Sequence, residues 1–419
     1  MLKSQGPYLI IGTIVVFMAL HLMAAHELMS VKTTIATTLS GIAFLLMTFS
    51  MLLSTRLNIF EDLFGGLDRM YQVHKISGVV SMLLILLHFF LIPKALPAGT
   101  DPIVNAITPS GPLGMLALIL LVVLLVIALN RKISYSKWRP THKFMGLVYL
   151  LAIGHFLTAP AIFFNLFSAS GFFLIAAAII GTLSLIYSVF GMNKRTAIPF
   201  TIEKVNAMER ATEIVLSPKN KPLDFRAGQF VIIEIAGKGW SEPHPFTVSS
   251  APGEKNLKIA IKVLGDWTRK VREELQSGVE VKVRGPYGRF DTTKAGKKQV
   301  WLAGGIGLTP FLSSLRAMKE DDEREIHLVY AAREVGDAIF LDEIKERAAA
   351  LKSVTIVSLF SDEGNFARVD RMKEKLPEPL HAYEYFMCGP KPMVSGIMGD
   401  LKKEGISKSK IHTEAFEFR

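Results

Sequence analysis

The chain has 419 residues, of which 50% are hydrophobic and 20% are charged, so it is too long for one ordinary domain and too apolar for a disordered chain. Residues 1–196 carry 13 Lys and Arg against 5 Asp and Glu, whereas residues 197–419 carry 35 against 32. A basic excess confined to the apolar half favours the cytoplasmic loops of a membrane protein over a nucleic-acid partner.

Six runs without a charged residue predict six transmembrane helices, because each comes close to spanning a hydrocarbon layer of about 30 Å. Basic residues concentrate in the loops on one side of these runs, so both termini and the polar half are expected in the cytoplasm, at the cell membrane. The runs are Tyr8–Ala25, Thr33–Leu53, Ile76–Ile92, Pro112–Leu129, Phe144–Ala159 and Gly171–Phe190.

Four histidines in the apolar half form two pairs at two depths. His74 and His88 are 14 residues apart on the third predicted helix, and His142 and His155 are 13 apart on the fifth. Both helices run outward, so His74 is level with His142 on the inner side and His88 with His155 about 20 Å further out. Two facing imidazoles are typical axial ligands of haem iron, whereas zinc needs further ligands that Cys, Asp and Glu do not supply here.

The two histidine spacings differ in helical phase. At about 100° per residue, 14 steps return to nearly the same face, whereas 13 steps end about 140° away. We therefore expect the fifth helix to be distorted or overwound, first of all near Gly146 or Gly154. His21 and His26 on the first helix have no partners at matching spacing and are not expected to bind haem. The alternative is that the membrane histidines bond helices together or line a proton path.

The polar half divides into two predicted domains. Alternating strands such as Gly228–Ile235 and Leu257–Val263 predict a small antiparallel barrel that ends near Phe290. From Gln299 onward strands alternate with helices, which predicts an open parallel α/β sheet. The expected domains are residues 1–196, 197–292 and 293–419. The predicted parallel strands are Val300–Ala303, Ile326–Tyr330, Val354–Ser358 and Tyr385–Cys388.

Two turns at the carboxyl ends of these strands are candidates for nucleotide binding. The run Gly304-Gly305-Ile306-Gly307-Leu308-Thr309-Pro310 leads into a helix, whose free amides attract a pyrophosphate that the glycines allow to approach. Cys388-Gly389-Pro390 ends a later strand of the same sheet, where ligands bind in such folds. The single cysteine also excludes an intramolecular disulfide, a cysteine zinc site and a four-cysteine iron–sulfur cluster, and we expect no disulfide-linked partner.

The predicted barrel contains two runs that combine aromatic rings with hydroxyl groups. These are His244-Pro245-Phe246-Thr247-Val248-Ser249-Ser250 and Gly265-Asp266-Trp267-Thr268, the second of which opens a short helix that offers amides and a hydroxyl to a phosphate. The alternative is that Phe246 and Trp267 pack the barrel and Thr268 caps the helix. At the end of the chain, an aromatic residue is a candidate to lie over a flat cofactor ring.

These residues resemble the NADPH oxidase and ferric reductase transmembrane family, whose cytoplasmic half is similar to ferredoxin-NADP reductases. The resemblance covers essentially the whole chain. It implies a six-helix transmembrane haem bundle, an antiparallel β-barrel FAD domain and an α/β nucleotide-binding domain. It assigns an inner b-type haem to His74 with His142 and an outer one to His88 with His155.

The resemblance also implies where FAD and NADPH or NADH bind. Phe246 and Thr247 would lie near the isoalloxazine, and His244, where soluble reductases more often have arginine, near the pyrophosphate. The nicotinamide would lie near Cys388, and a terminal aromatic, Phe416 better than Phe418, would cover the flavin. The implied cofactor residues are His244, Pro245, Phe246, Thr247, Ser249, Ser250, Lys262, Gly265, Trp267, Thr268, Gly304, Gly305, Gly307, Thr309, Pro310, Arg333, Cys388, Gly389 and Pro390.

The implied activity is transmembrane electron transfer from cytoplasmic NAD(P)H through FAD and two haems to an external acceptor. The outer loops offer only Lys32 and Lys94 to an anionic ferric chelate, so O2 giving superoxide is favoured over a chelate or a quinone. The rivals are a transporter with a regulatory nucleotide-binding module and a subunit that feeds electrons to a periplasmic protein. Arg333, and with less weight Arg368, are candidates to bind the 2′-phosphate of NADPH.

Overall fold

The computed structural model describes residues 5–24, 30–93, 110–130, 132–133, 135–160, 164–191, 197–237, 239–240 and 242–414. The chain divides into an N-terminal unit, Ser4–Arg195, and a C-terminal unit that contains Thr196–Arg419. The predicted residues Phe416 and Phe418, together with His26 and Lys94, lie outside the described residues.

The described part of the N-terminal unit is helical throughout and contains five helices long and apolar enough to cross a membrane. Two of them begin at a serine whose hydroxyl accepts a hydrogen bond from the amide three residues on, Ser30 from Thr33 and Ser168 from Gly171. A further short helix, α3 (Asn58–Phe64), precedes the third of them. The five are α1 (Gly6–Met23), α2 (Val31–Ser54), α4 (Leu67–Leu91), α5 (Ser110–Leu129) and α8 (Ala169–Val189).

The fifth helix, which was predicted to carry both His142 and His155, is instead two helices, α6 (Tyr135–His142) and α7 (Met145–Leu157), of which only α7 lies within the predicted span Phe144–Ala159. Around the break, the amides of Lys143, Phe144, Gly146 and Leu147 bond to carbonyls three residues earlier rather than four. This tighter 3₁₀ winding turns each residue through about 120°, so it supplies the overwinding that the 13-residue spacing requires. The expected distortion is confirmed, and it lies just before Gly146 rather than at Gly154. Since α7 has 13 residues, the described chain holds five candidate spans instead of six.

Helix α2 forms the centre of the N-terminal unit. It packs against α1, α4 and α8, while α5 packs against α7. Close approach depends on small residues: a Cβ at Gly41 of α2 would lie 2.1 Å from the ring of Phe17 on α1. Helix α4 packs on α2, and α7 packs on α5. Side chains of α4 and α7 that point toward each other meet inside the unit.

The C-terminal unit begins with a six-stranded antiparallel sheet in the order β4-β3-β6-β1-β2-β5. A bridge between Val248 and Ile259 brings its two edges together, so the sheet is nearly closed, and the predicted antiparallel barrel is confirmed. The helix α9 (Asp266–Glu274) follows β5 and inserts Val271 into the barrel core. The strands are β1 (Ile198–Ala207), β2 (Ala211–Pro218), β3 (Phe230–Ile235), β4 (His244–Thr247), β5 (Leu257–Lys262) and β6 (Glu280–Tyr287).

A five-stranded parallel sheet follows, in the order β11-β10-β7-β8-β9, which confirms the predicted α/β fold. The four predicted strands are present, whereas the edge strand β11 was not predicted. The strand order reverses at β7, so a crevice opens between the carboxyl ends of β7 and β10. The elements are β7 (Lys298–Gly304), α10 (Thr309–Ala317), β8 (Glu325–Ala332), α11 (Leu341–Ala350), β9 (Val354–Phe360), α12 (Val369–Lys375), β10 (Glu384–Cys388), α13 (Lys391–Lys403) and β11 (Ile411–Glu414).

Candidate functional site

The structure brings the four membrane histidines together as two pairs. The ring centroids of His74 on α4 and His142 at the end of α6 are 5.9 Å apart, with the ring planes at 70°. Those of His88 on α4 and His155 on α7 are 6.1 Å apart, with the planes at 75°. The pairing therefore follows the sequence-based prediction.

Hydrogen bonds fix the orientation of three of the four imidazoles. The Nδ1 of His74 donates to the Ser50 carbonyl at 3.1 Å and that of His88 to the Ala36 carbonyl at 2.9 Å. The Nδ1 of His155 donates to the Ser110 carbonyl at 2.7 Å. A proton held on Nδ1 puts the lone pair on Nε2, which is the arrangement that metal-binding histidines use.

The pairs fit an iron held between two imidazoles. Metal–nitrogen bonds of about 2 Å on opposite sides of one ion put the two ring centroids about 6 Å apart, as observed. Within the described residues, no cluster of three His, Cys, Asp or Glu side chains is suited to a metal ion, so each donor set is two imidazoles. This set suits a haem, whose porphyrin supplies the remaining ligands.

The first turn of α5 surrounds His155. The Ser110 hydroxyl lies 3.0 Å from its Nδ1 and donates to its backbone carbonyl at 3.0 Å, so Ser110 holds both the ring and the chain. A Cβ at Gly114 would lie 2.7 Å from Nδ1. Sequence reasoning missed both residues, although a glycine such as Gly114 near the start of a helix can mark a close approach.

The other two membrane histidines in the described residues are held differently. His142 stacks on Trp138, one helical turn earlier, with the centroids 5.0 Å apart, and its Nδ1 makes no hydrogen bond within the described chain. His21 is buried and its Nε2 bonds to the Thr37 hydroxyl at 2.9 Å. Its second nitrogen lies 3.5 Å from the Ser170 hydroxyl, so His21 joins helices α1, α2 and α8 and faces no second histidine ring.

In the barrel, β4 and the start of α9 form an aromatic cluster. The rings of His244 and Trp267 are 3.9 Å apart, and Phe246 stacks on Trp267 at 5.9 Å with an angle of 20°. Burial lowers the pKa of His244 to about 4, so its ring is neutral at pH 7. Within the described residues, the buried atoms His244 Nε2, Thr247 Oγ1 and Trp267 Nε1 make no hydrogen bond. Buried polar atoms normally have a hydrogen-bond partner, and a bound ligand would supply one here.

The hydroxyl of Thr268 is engaged within its own helix start. It accepts hydrogen bonds from the amides of Leu264 and Gly265, each at 2.9 Å, and donates to the Gly265 carbonyl. The structure therefore favours the capping role over a phosphate contact from this hydroxyl. Phe246 and Trp267 also pack against the barrel core, so the packing alternative is part of their role. The amides of the helix start remain the candidates of this run to bind a phosphate.

The two predicted nucleotide turns pack backbone against backbone. A Cβ at Gly307 would lie 2.3 Å from the Cys388 carbonyl, and one at Gly389 would lie 2.9 Å from Gly304. Gly305 has a φ of +55°, and Pro310 stands in the first turn of α10. The glycines are therefore needed where the turns after β7 and β10 meet, on either side of the crevice. Thr309, whose hydroxyl bonds to the Ile306 carbonyl, and Pro390 complete these two turns.

Cys388 and Glu414 lie side by side at the carboxyl ends of β10 and β11. Burial, and then the charge of Glu414, raise the pKa of the Cys388 thiol far above its usual value, so the thiol stays protonated. Glu414 is also buried, and its position next to Cys388 was not predicted, because β11 was not recognised. The chain continues from Glu414 into the segment that contains Phe416 and Phe418.

Three predicted cationic residues differ in their surroundings. Lys262 of the barrel bonds to Asp337 at 3.2 Å, and its Nζ lies 4.0 Å from the Cβ position of Gly305, so it lies beside the nucleotide turn. Arg333 follows β8 and is exposed. The ring of Phe366 lies 5.9 Å from the guanidinium of Arg368.

Three protein families match successive parts of the chain. The ferric reductase like transmembrane component matches residues 39–153, an FAD-binding domain matches residues 198–299, and an oxidoreductase NAD-binding domain matches residues 301–398. The first match contains His74, His88 and His142.

Curated relatives and a solved structure resemble the chain at low identity. The reductase component of propane 2-monooxygenase from Mycolicibacterium goodii is 29% identical over 234 residues, 51% of this chain and 66% of that protein. A flavohemoprotein of Oceanobacillus iheyensis is 26% identical over 235 residues, 51% of this chain and 57% of that protein. The chain thus spans less than two thirds of these relatives. A Malassezia yamatoensis flavohemoglobin structure has a TM-score of 0.53 at 19% identity, covering 93% of this chain and 99% of that one, which is a likeness of fold alone.

The order of the three matches agrees with the architecture of the molecule. An apolar helical region precedes an antiparallel barrel and a parallel α/β domain, and the last two bind FAD and a nicotinamide nucleotide. The chain is therefore an NAD(P)H-dependent flavoprotein oxidoreductase, and its domains match the ferric reductase and NADPH oxidase family, with a C-terminal half like that of ferredoxin-NADP reductases.

Proposed function

We propose that this protein passes electrons from cytoplasmic NAD(P)H through FAD and two b-type haems to O2 on the outer face of the membrane, giving superoxide. His74 and His142 would hold the inner haem, and His88 and His155 the outer one. When bound, FAD accepts two electrons as a hydride and haem iron accepts one electron at a time, so FAD would connect the two-electron donor NAD(P)H to the one-electron haems.

One observation carries this proposal. Three of the four imidazoles donate Nδ1–H to a backbone carbonyl, at 2.7–3.1 Å, and thereby present Nε2 as a ligand, while each pair leaves the spacing of one metal ion between its rings. His21, which joins three helices, bonds instead to side-chain hydroxyls and faces no second imidazole among the described residues. The pattern therefore favours haem ligation over a proton path.

The residues of the C-terminal unit have matching tasks. Gly305, whose Cβ position lies 4.0 Å from Lys262 Nζ, would leave the turn open to a pyrophosphate, while Gly304 and Gly307 let the turn pack against the turn after β10. The first amides of α10 would attract the charge of the pyrophosphate. A neutral, partly buried His244 presents a hydrogen-bonding nitrogen beside the flavin strand without adding a charge. The protonated thiol of Cys388 would border the nicotinamide, and Phe416 or Phe418 would cover the flavin.

We further propose six spans, the fifth being Phe144–Ala159 with α7 at its centre and α6 at its cytoplasmic end, with both termini and the C-terminal unit in the cytoplasm. The basic loops support this orientation, because Lys and Arg resist translocation. The break between α6 and α7 is tolerable in a membrane because its amides keep carbonyl partners three residues earlier.

O2 is proposed as the acceptor because His88 and His155 would both be engaged by the outer haem, which would supply one electron at a time to a small diffusible molecule, and the outer loops offer few cations to an anionic chelate. Ferric chelate is the second candidate, favoured by the match to the ferric reductase like component. Purified protein supplied with NADPH or NADH tests the two. We expect cytochrome c reduction that superoxide dismutase abolishes, and slower reduction of ferric citrate under argon. Faster ferric citrate reduction without superoxide would reverse the assignment.

A further inference from the structure

A buried arginine joins the barrel to the parallel sheet of the C-terminal unit. Arg316 lies in the last turn of α10, and its side chain is 13% exposed. Its Nε and Nη2 form a two-pronged ion pair with Glu343 of α11, at 2.6 and 2.8 Å. Its Nη1 donates to the backbone carbonyl of Ser249 in the barrel at 2.9 Å, and Nη2 lies 3.4 Å from Glu213 on β2. One guanidinium thus contacts both domains.

A second bond joins the same two segments. Ser313, one helical turn before Arg316, donates its hydroxyl to the Ser250 carbonyl at 2.6 Å. The barrel in turn holds this segment, because the Ser249 amide bonds to the Lys258 carbonyl at 2.8 Å and the Lys258 amide to the Ser250 hydroxyl at 3.1 Å. Helix α10 is therefore fixed at two points to the residues that directly follow the flavin strand β4.

The same helix carries the nucleotide turn at its other end. Gly304–Leu308 leads straight into α10, so Arg316 and the turn lie at opposite ends of one rigid element about 14 Å long. A shift of α10 on the barrel therefore moves the turn relative to the flavin strand. Misplacement of reacting groups by about 1 Å is enough to slow a reaction about a hundredfold.

We infer that Arg316 is a positioning residue for hydride transfer, because it sets the distance between the nucleotide turn and the flavin-binding strand. The step breaks one C–H bond of the reduced nicotinamide, forms one N–H bond on the flavin and moves two electrons with the hydride. The inference rests on the FAD and nucleotide sites proposed above and does not involve the haem ligands.

The chemistry of Arg316 suits this task. Burial opposes its charge, but the carboxylates of Glu343 and Glu213 outweigh burial and raise its pKa, so it stays charged. Its planar guanidinium makes two parallel hydrogen bonds to Glu343 and a third to the Ser249 carbonyl. The ammonium group of lysine cannot reproduce this bidentate geometry. The ring of Phe340 lies 5.4 Å from the guanidinium.

Arg347 provides a matched control. Its guanidinium donates to the carbonyls of Leu315, Arg316 and Met318, at 3.1, 3.4 and 2.6 Å, and so caps the end of the same helix from within the nucleotide domain. All three acceptors belong to the nucleotide domain and none to the barrel. Arg347→Gln therefore weakens α10 without loosening its attachment to the barrel.

The test is anaerobic stopped-flow reduction of the bound flavin in the full-length protein, with NADPH and NADH and with nicotinamide deuterated at the transferred position. We expect Arg316→Lys to retain FAD and nucleotide affinity within about threefold, to lower the limiting rate about tenfold or more, and to increase the primary isotope effect as the hydride step becomes more rate-limiting. Arg347→Gln should keep the limiting rate within about twofold and lower only the unfolding temperature.

Equal rates in wild type and Arg316→Lys, or equal slowing in Arg347→Gln, would overturn the inference. If Arg316→Lys does not fold, Ser313→Ala removes the second attachment point alone and is expected to slow flavin reduction by a smaller factor with the same isotope signature. An unchanged rate in that variant would count against the inference. A wild-type protein whose flavin neither nucleotide reduces would instead refute the proposed function.

Discussion

The two units of this protein build their sites in different ways. In the N-terminal unit the proposed site consists of a few side chains, four imidazoles, two of them 14 residues apart on α4. In the C-terminal unit the proposed nucleotide site is mostly backbone, in turns that approach each other too closely for any residue but glycine. A site made of side chains can be recognised from the spacing of those residues in the sequence. A site made of backbone depends on contacts between segments that are distant in the sequence.

This contrast predicts that changes in one unit leave the cofactors of the other in place.

The largest effect is expected from His155→Leu or His88→Leu. Either change removes one of only two protein ligands at the second pair, so about half of the haem should be lost while FAD content stays unchanged. His21→Leu is the matched control, because His21 is a buried histidine of the same unit that bonds to Thr37. Pigment and flavin are measured in the same preparation. Full, unaltered haem in His155→Leu would remove this assignment.

Gly307→Ala should abolish most nucleotide binding while both haems remain. The new Cβ would lie 2.3 Å from the Cys388 carbonyl, so the turns after β7 and β10 would have to move apart. That movement would change the shape of the crevice between them. We expect affinity for NAD(P)H to fall at least about tenfold, measured by titration of the oxidised flavoprotein with a nucleotide. Gly396→Ala, with no atom within 4 Å of its Cβ position, should bind normally. Equal affinities in the two variants would contradict this account of the turns.

Gly114→Ala sharpens the comparison within the N-terminal unit. Its Cβ would lie 2.7 Å from the Nδ1 of His155, so the ring must shift and the second pair should lose haem in part or change its electron paramagnetic resonance signal. Gly111→Ala is the matched control, since Gly111 lies on the same helix and its Cβ position has no atom of the described residues within 4 Å. The His74–His142 signal should be unchanged in both. Identical spectra of the two variants would show that α5 does not position His155.

The smallest effect is expected from His244, the buried histidine of the barrel. Its pKa of about 4 in the folded protein lies below the ordinary 6.5, so the unfolded chain takes up this proton first as the pH falls. Folding stability is unaffected above pH 7 and decreases between pH 6.5 and 4, by about 2 kcal/mol from pH 7 to pH 5. His244→Gln should reduce this loss in thermal unfolding of the full-length protein. A wild-type and a variant curve with the same pH dependence would exclude a buried, neutral His244.

Much of this architecture could be predicted from the sequence, for identifiable reasons. Charge-free runs predicted the long helices, and the 13-residue spacing of His142 and His155 predicted a distorted helix. The position of the break could not be predicted, because the hydrogen bonds of residues 143–147 depend on how α6 and α7 pack. The four predicted parallel strands contain apolar runs, whereas β11 has only four residues. Arg316 looked like an ordinary helix residue, since its barrel partners are 67 and 103 residues away.

The most direct test of the account is the haem-to-flavin ratio of the purified protein, read together with its reduced-minus-oxidised spectrum after addition of NAD(P)H under argon. The account predicts two b-type haems per FAD, both six-coordinate with histidine on each side, and both reduced by the nucleotide. Protein that folds and binds FAD but carries no haem, or haem that the nucleotide leaves oxidised, would contradict it.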